Sequence, residues 1–187
     1  AISDGTAEGG NGGALTVTTW TGEVASVTTN ITSGNGATGF TTNNRTGGDG
    51  GAVNISDFDG AFTGTTVNIT SGDGGAGLTN NATAVGGAGG AMADLDFDGA
   101  ITANLNLRGG AGGAGGASTS AAGGDGGAGG VISTDVTFAA LVTGDVLIQG
   151  GAGGAAGVST GGGQGGVGGA GAAITLTGTG FGVGITG

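Results

Sequence analysis

Residues 109–130 read GGAGGAGGASTSAAGGDGGAGG, in which GGX triplets run up to a five-residue break, STSAA, and then resume. A period of three fits neither an α-helix nor a β-strand, but it is the turn period of a polyproline-II helix. In such a helix Ala111, Ala114 and Ala117 lie on one edge, and the other two edges carry only glycine hydrogens. Bare edges let an N–H of one backbone reach a C=O of the next. The stretch therefore predicts glycine helices packed side by side.

Similar glycine blocks recur along the whole chain. They begin at Gly9, Gly47, Gly86, Gly123 and Gly162, which are 38, 39, 37 and 39 residues apart. Each interval between the blocks holds two strand-like segments, such as AVNISDF and TTVNIT, followed by a second glycine block. Periodicity on this scale indicates an array in which each unit buries a face against the next. The sequence predicts an all-β repeat protein of about four units, each of roughly 38 residues, stacked into a rod.

The two strand-like segments of a unit are interpreted as a β-hairpin. The connections WTGEV, FDGAF and FDGAI carry glycine at their centre, which is typical of a three-residue hairpin loop. Pairing across this loop would bring Val17 opposite Val27, and Val53 opposite Val67, on one face of the hairpin. A β-solenoid, with the two segments as sides of one coil, is the alternative architecture.

The ends of the chain differ from the repeats. Residues 1–8 form an N-terminal lead-in, residues 9–171 the glycine-rich repeat domain, and residues 172–187 a C-terminal strand with no repeat after it. The last acidic residue is Asp145, so this end carries no charged cap. Because a repeat array must blunt or pair its terminal edges, both end segments are predicted to contact neighbouring subunits.

The composition excludes several classes of function. The chain has no His, Cys, Tyr or Lys, which removes the usual general base, thiolate nucleophile and Schiff-base amine. We therefore predict that the protein is not an enzyme. Its basic residues are Arg45 and Arg108, and its formal net charge is −11. Such a chain would be repelled by nucleic acids and by anionic membranes, so neither is predicted as a partner.

The sequence also indicates a compartment. No apolar run is long enough to cross a bilayer, so membrane insertion is not predicted. Numbering from Ala1, without an initiator Met, is typical of a mature chain after cleavage of a signal peptide. We predict a secreted protein, either extracellular or on the cell surface. Because it lacks Cys, stacking or oligomerisation would have to stabilise it.

Two kinds of candidate site are present. Asp94, Asp96 and Asp98 form the opening D-x-D-x-D-G of a calcium loop, although Leu105 replaces its final Glu. Calcium is thus the one candidate cofactor, and the alternative is a strand whose aspartates simply face water.

Five Asn-x-Ser/Thr sequons provide candidate glycosylation sites, so glycans are candidate partners. These sequons are at Asn30, Asn44, Asn54, Asn68 and Asn81.

Four aromatic residues, Trp20, Phe58, Phe97 and Phe138, occupy equivalent points of successive units. If the units stack in register, these side chains form a column. A carbohydrate-binding ladder is one interpretation. Sealing of the core between units is favoured, because the chain has few other aromatic residues with which to pack a core.

The GGX runs resemble those of glycine-rich mycobacterial surface repeats, of glycine-rich springtail antifreeze proteins and of the tip adhesins of some phage tail fibres. Segments such as VNITSGDGG, alternating with glycine blocks, look more like the passengers of bacterial autotransporter adhesins. The resemblance to these glycine-rich repeat surface proteins is compositional. It implies an extracellular role in adhesion or in filament formation.

The first functional hypothesis is a structural subunit that polymerises with itself, head to tail, into a filament. Burial of Ile2 or of residues 174–185 in a neighbouring subunit would join the subunits by β-strand addition. The alternative is a binding module. It would be either a phage or cell adhesin that uses the loops 40–46, 78–85 and 117–122, or an ice-binding protein that uses flat threonine faces.

Overall fold

The computed structural model describes residues 9–40, 46–79, 84–119, 122–133 and 136–175. Within these ranges it has ten β-strands and no helix, so it contains no helix that could cross a membrane. The strands are β1 Leu15–Val17, β2 Thr28–Thr32, β3 Val53–Phe58, β4 Thr66–Thr70, β5 Met92–Phe97, β6 Asn104–Arg108, β7 Ile132–Ser133, β8 Val136–Phe138, β9 Val146–Gln149 and β10 Ile174–Thr175.

The strands form two parallel sheets that coil as a solenoid. The first sheet has the order β1-β3-β5-β7-β10, with β8 also paired to β5, and the second sheet has the order β2-β4-β6-β9. Each strand pairs with its equivalent in the next turn, so Asn30 lies beside Asn68, which lies beside Asn106. About three turns therefore separate the first strand of the second sheet from the last. The all-β class and the solenoid alternative are confirmed.

The predicted hairpins are wrong. Val17 pairs with Ile55 of the next turn rather than with Val27, and Val53 pairs with Met92 rather than with Val67. The prediction failed because alternating apolar residues point inward in both architectures. Alternation identifies the inner face of a strand, but not the strand that forms hydrogen bonds with it.

The glycines at the centres of the predicted loops have a different role from the one expected. Gly60 and Gly99 do not have a positive φ; of the glycines that the structure describes, Gly162 alone does. A Cβ on Gly60 would lie 2.1 Å from the carbonyl oxygen of Gly22, and one on Gly99 would lie 1.7 Å from that of Gly60. Successive turns approach too closely here for any side chain.

The apolar core lies between the two sheets. Phe58 and Phe62 stack with ring centroids 4.2 Å apart. Both are buried, as are inward-facing residues of each sheet such as Leu95 and Leu105. The strand-forming half of each turn is thus a two-sheet sandwich held by side-chain packing.

The other half of each turn consists of glycine runs. We call residues 9–13, 47–51, 86–90, 123–130 and 162–171 the first runs. Residues 34–39, 72–77, 109–116 and 150–157 are the second runs. The chain passes through a first run, a strand of each sheet, and then a second run in every turn.

Backbone hydrogen bonds join the glycine runs in two directions, with a period of three residues. The N–H of Gly112 donates to Ala152 O, in the second run of the next turn, at 2.8 Å. The N–H of Gly113 donates to Gly87 O, in a first run, also at 2.8 Å. Residues 109–116 and 123–130 therefore have regular main-chain hydrogen-bond partners.

Packing between runs leaves no room for side chains on the inner glycines. A Cβ added to Gly113 would lie 1.9 Å from Gly75 O, and one added to Gly112 would lie 2.0 Å from Gly127 O. Such contacts are far below van der Waals separation, so the triplet pattern is a steric requirement. The third residue of a triplet points outward: Ala114 is exposed, and Ala76, Ala88 and Ala111 are half-buried.

Candidate functional site

An apolar groove lies open at the N-terminal end of the solenoid, between β1 and β2. Its volume is about 270 Å³. The residues that line it are Leu15, Val17, Trp20, Val24, Thr29, Asn30, Ile31, Ile55 and Phe58. Two of these, Thr29 and Asn30, are polar, so the lining is largely aliphatic and aromatic.

The groove is open because β1 and β2 are the first strands of their sheets. Each pairs on one side, and among the described residues no earlier turn covers them. Leu15, Val17 and Ile31 pack against the core but remain partly exposed. The Trp20 ring stacks 5.9 Å from that of Phe58, yet 43% of the Trp20 side chain stays exposed. Exposed apolar patches of this kind mark interaction surfaces.

Carbonyl groups that receive no backbone N–H from the described residues lie at the same end of the solenoid. In the interior, the third residue of a triplet accepts a hydrogen bond from the preceding turn, as when Asp49 O accepts from Gly12 N at 2.7 Å. Within the described residues, no backbone N–H reaches the equivalent carbonyls of Asn11 and Ala14. The N-terminal end of the first runs is therefore a row of acceptors.

The opposite end carries the complementary groups. Gly123, Gly126 and Gly129 donate their N–H groups to the run at residues 162–171. In that last run the matching N–H groups have no acceptor among the residues that the structure describes. These unpaired donors belong to Gly165, Gly168 and Gly171.

Asparagine and aspartate side chains at triplet positions cap the next turn, a role that sequence reasoning missed. Asn11 Oδ1 accepts from the N–H of Asp49 at 2.8 Å, and Asp49 Oδ1 accepts from that of Ala88 at 2.8 Å. The run-to-run hydrogen bonds use mostly the N–H groups of the glycines. The N–H of the outward residue takes no part in them, and it is the group that the Asn or Asp side chain binds. The signal was present in the sequence, because Asn and Asp within the glycine blocks stand only at third positions.

Two of the predicted calcium ligands, Asp94 and Asp96, line one open cavity with Ser56 and Thr137, and Asp98 is not part of that lining. Asp94 lies at a bulge with a φ of 49°, where the register between β3 and β5 shifts. Asp96 accepts a hydrogen bond from the Thr137 hydroxyl. Asp98 instead joins Asp57 and Asp59 of the preceding turn.

The carboxylates of Asp57, Asp59 and Asp98 each place an oxygen within 4.8 Å of the others. Burial raises the pKa of Asp57, and the negative charges of Asp59 and Asp98 raise it further. Asp57 Oδ1 is itself buried without a hydrogen-bond partner. The group shares only Asp98 with the predicted set, and calcium binding stays a prediction.

Three of the five sequons lie in the described part of the chain. Asn30 and Asn68 belong to a ladder in the second sheet: Asn68 Nδ2 donates to Asn30 Oδ1 at 2.9 Å, and Asn106 Nδ2 donates to Asn68 Oδ1 at 2.8 Å. Asn54, on the first sheet, accepts from the Ser56 hydroxyl at 3.4 Å. Asn44 and Asn81 lie outside the described residues. Glycosylation remains a prediction at all five.

The four aromatic residues do form a column through the turns. Trp20 stacks on Phe58, and Phe97 stacks on Phe138 with centroids 5.4 Å apart. Phe58 and Phe97 meet at a tilt of 57°. The three phenylalanines are buried, so they seal the core, and Trp20 alone in this column is available at the end of the solenoid.

No protein-family model and no curated protein matches this chain. Among solved structures, it is similar to a springtail antifreeze protein from Granisotoma rainieri. That protein is a bundle of nine polyproline type II helices on which crystal waters match the ice lattice. The two sequences are 29% identical over 93% of each chain, and the TM-score is 0.21. At this TM-score the similarity defines neither the fold nor the function of the present chain.

Proposed function

We propose that this protein is a non-enzymatic structural subunit that assembles with itself, head to tail, into a secreted filament outside the cell or on its surface. The observation that carries the proposal is the open apolar groove at the first turn. A solenoid whose core is open at one end gains burial when another copy covers it. The composition supports the proposal, because the chain lacks the residue types on which most catalysis depends.

The rod would consist of about four repeat units, in which the glycine runs are polyproline-II helices. The three-residue period of the hydrogen bonds and the outward position of every third residue support this conformation. Stacked glycine helices would make the subunit stiff along the direction in which the turns repeat. That is the direction in which a filament grows.

The first test is electron microscopy of the purified protein, together with a variant that lacks residues 172–187. We expect filaments from the full chain. The shortened chain should yield soluble monomers, because its sheet loses the strand at its C-terminal edge. Filaments of normal length from the shortened chain would rule out assembly through this segment.

A point substitution in the groove tests the same proposal with less disturbance. Val17→Glu places a carboxylate in the groove, whereas Thr16→Glu places one on the opposite, exposed face of the same strand. We expect Val17→Glu to abolish filaments and Thr16→Glu to retain them. Circular dichroism would confirm that both variants fold. Equal assembly by both would contradict the role of the groove.

A second candidate function is a binding module, such as an adhesin or an ice-binding protein. It is favoured by the outer face of the second runs, where small side chains are evenly spaced. Ala114, Ala152 and Ala155 are exposed on this face. Thermal hysteresis in the purified protein, lost in an Ala114→Arg variant, would support ice binding. Discrete monomers without fibres in micrographs would favour a binding module over the filament.

A further inference from the structure

The hydrogen bonds between glycine runs have a direction along the solenoid axis. Gly12 donates to Asp49 O in the next turn, and Gly129 donates to Ala170 O in the last described run. Each first run thus donates toward the C-terminal end and accepts from the N-terminal side. The acceptors of Asn11 and Ala14 and the donors of Gly168 and Gly171, which have no backbone partner in the described part of the chain, therefore lie at opposite ends.

One column of outward residues runs the full length of the first runs. Asn11 lies beside Asp49, and Asp49 beside Ala88, through the side-chain caps described above. Gly89 N then donates to Ala128 O, and Gly129 N to Ala170 O. The column therefore begins at Asn11 and ends at Ala170. Asn11 and Ala170 therefore occupy equivalent positions in the first and the last described turn.

The glycines of the first run provide an independent indication. A Cβ on Gly48 would lie 2.2 Å from Gly10 O, and one on Gly51 would lie 2.2 Å from Gly13 O, because the preceding turn packs there. A Cβ on Gly10 or Gly13 would meet no atom within 4 Å. Among the described residues nothing fills the space beside these two positions, yet they hold the glycines that a preceding turn would require.

The first sheet also has a direction along the solenoid axis, as the hydrogen bonds between the glycine runs do. β1 pairs only with β3, and β10 pairs only with β7, so they are the two edges of one parallel sheet within the described residues. A second copy in the same orientation would place its β1 beside β10 and continue the sheet in parallel. A copy in the opposite orientation would place two acceptor rows, or two donor rows, against each other.

Building on the proposed function, we infer that the ends of two subunits join as one more turn of the solenoid. The N-terminal face, with the groove, Gly10, Gly13 and the carbonyl of Asn11, receives the C-terminal face of a second copy. Gly171 N would donate to Asn11 O, and Asn11 would lie directly beside Ala170. The partner is thus a second copy of this chain in the same orientation.

Cysteine crosslinking tests this register, and the natural chain has no cysteine to interfere. Residues one turn apart in neighbouring parallel strands lie about 4.8 Å apart, within the range of about 4.4–6.8 Å that a disulfide spans between Cα atoms. The double variant Asn11→Cys/Ala170→Cys, oxidised after assembly, should give a ladder of covalent multimers on a denaturing gel. Asn11→Cys/Ala152→Cys, in which the second cysteine lies in a second run rather than a first run, should give no ladder.

The single variant Asn11→Cys determines the orientation. Covalent dimers from this variant would indicate head-to-head contacts and would overturn the inference. Filaments whose double variant gives no ladder would also overturn it, while leaving the proposed function intact. A chain that never forms filaments, with or without cysteines, would remove the proposed function itself.

The glycines give a second, independent measurement. Gly10→Ala/Gly13→Ala should fold with an unchanged unfolding midpoint, since the added methyl groups have space in the monomer, but it should form less than about a tenth of the wild-type filament mass. Ala114→Ser, which adds one atom to an exposed side chain of a second run away from the N-terminal face, should assemble normally. Normal filaments from the double alanine variant would show that the runs do not meet as inferred.

Discussion

The two halves of each turn are held together by different forces. In the strand half, side chains such as Phe97 and Leu105 fill the space between two sheets, and both are fully buried. In the described glycine half, backbone groups bond directly from run to run, and few side chains, such as the buried Ser71, take part in these contacts. The strand half therefore depends on the volume of its side chains, and the glycine half depends on their absence.

This difference explains why the composition is so uneven. Ordering a glycine costs more backbone entropy than ordering any other residue, so glycine-rich chains are usually flexible. Here each run is joined at one end to a strand of a sheet, the sheets bury apolar residues, and the run's own hydrogen bonds add to that anchoring. The apolar half holds the glycine half in place.

The largest effect is expected from removal of a core aromatic side chain. Phe97 contacts Phe58, Phe62 and Phe138, so Phe97→Ala would leave a cavity at the centre of the column. We expect it to lower the free energy of unfolding by about 3–5 kcal/mol, measured by denaturant titration. Leu105→Met, which nearly conserves volume, should cost less than about 1.5 kcal/mol. A Phe97→Ala cost no larger than that of Leu105→Met would mean that the column is not part of the core.

The second prediction concerns the glycine half, where the substitution adds a methyl group instead of removing a side chain. Gly113→Ala would place Cβ 1.9 Å from a backbone oxygen that cannot rotate away. We expect a loss of about 3 kcal/mol, at the upper end of what overpacking usually costs. The control is Ala114→Ser in the same run, where the side chain is exposed and the stability should change by less than about 0.5 kcal/mol. Equal tolerance of both changes would refute the steric interpretation of the triplets.

The third prediction concerns the asparagine ladder on the second sheet. Asn68→Ala removes the hydrogen bonds to Asn30 and Asn106, and we expect a loss of about 1–2 kcal/mol. Asn54→Ala is a suitable control because it also deletes a sequon and breaks one long hydrogen bond from Ser56. Protein from a host without glycosylation separates the ladder from any glycan effect. A larger loss from Asn54→Ala would contradict the importance of the ladder.

The sequence predicted the repeat and the close packing of glycine, because both follow from fixed spacing. It did not predict the strand partners. Val17 has inward neighbours of suitable type both in its own turn and in the next, so pairing depended on the connection between the strands. The glycine at position 60 was ambiguous as well, since a tight loop and a close approach between turns require the same residue.

The cluster of Asp57, Asp59 and Asp98 could not be predicted from the sequence, for a related reason. Asp94, Asp96 and Asp98 are near one another along the chain, but the solenoid places Asp98 beside residues about 40 positions earlier. The calcium-loop motif assumes that its ligands lie in one continuous loop of the chain. Here the parallel register, together with the bulge at Asp94, determines which carboxylates meet.

The smallest expected effect concerns the pH dependence of this cluster. Because burial and the neighbouring carboxylates raise the pKa of Asp57, the folded state holds this proton more tightly than the unfolded state does. Stability should therefore fall as the pH rises from the unfolded pKa through the folded pKa, and the full cost should remain at neutral pH. Asp57→Asn removes this cost. Its denaturation midpoint should exceed that of the wild type at pH 7, and the difference should vanish below the unfolded pKa.

Asp145→Asn, which removes one exposed charge elsewhere, is the matched control for the change in net charge. It should shift the midpoint little at pH 7, because the side chain is exposed. If Asp145→Asn and Asp57→Asn gave the same pH profile, the effect would come from the overall charge of −11 rather than from contacts among three carboxylates. A difference between them would assign the effect to the corner where the chain crosses between the two sheets, because the close approach of turns at Gly60 and Gly99 brings the three carboxylates together there.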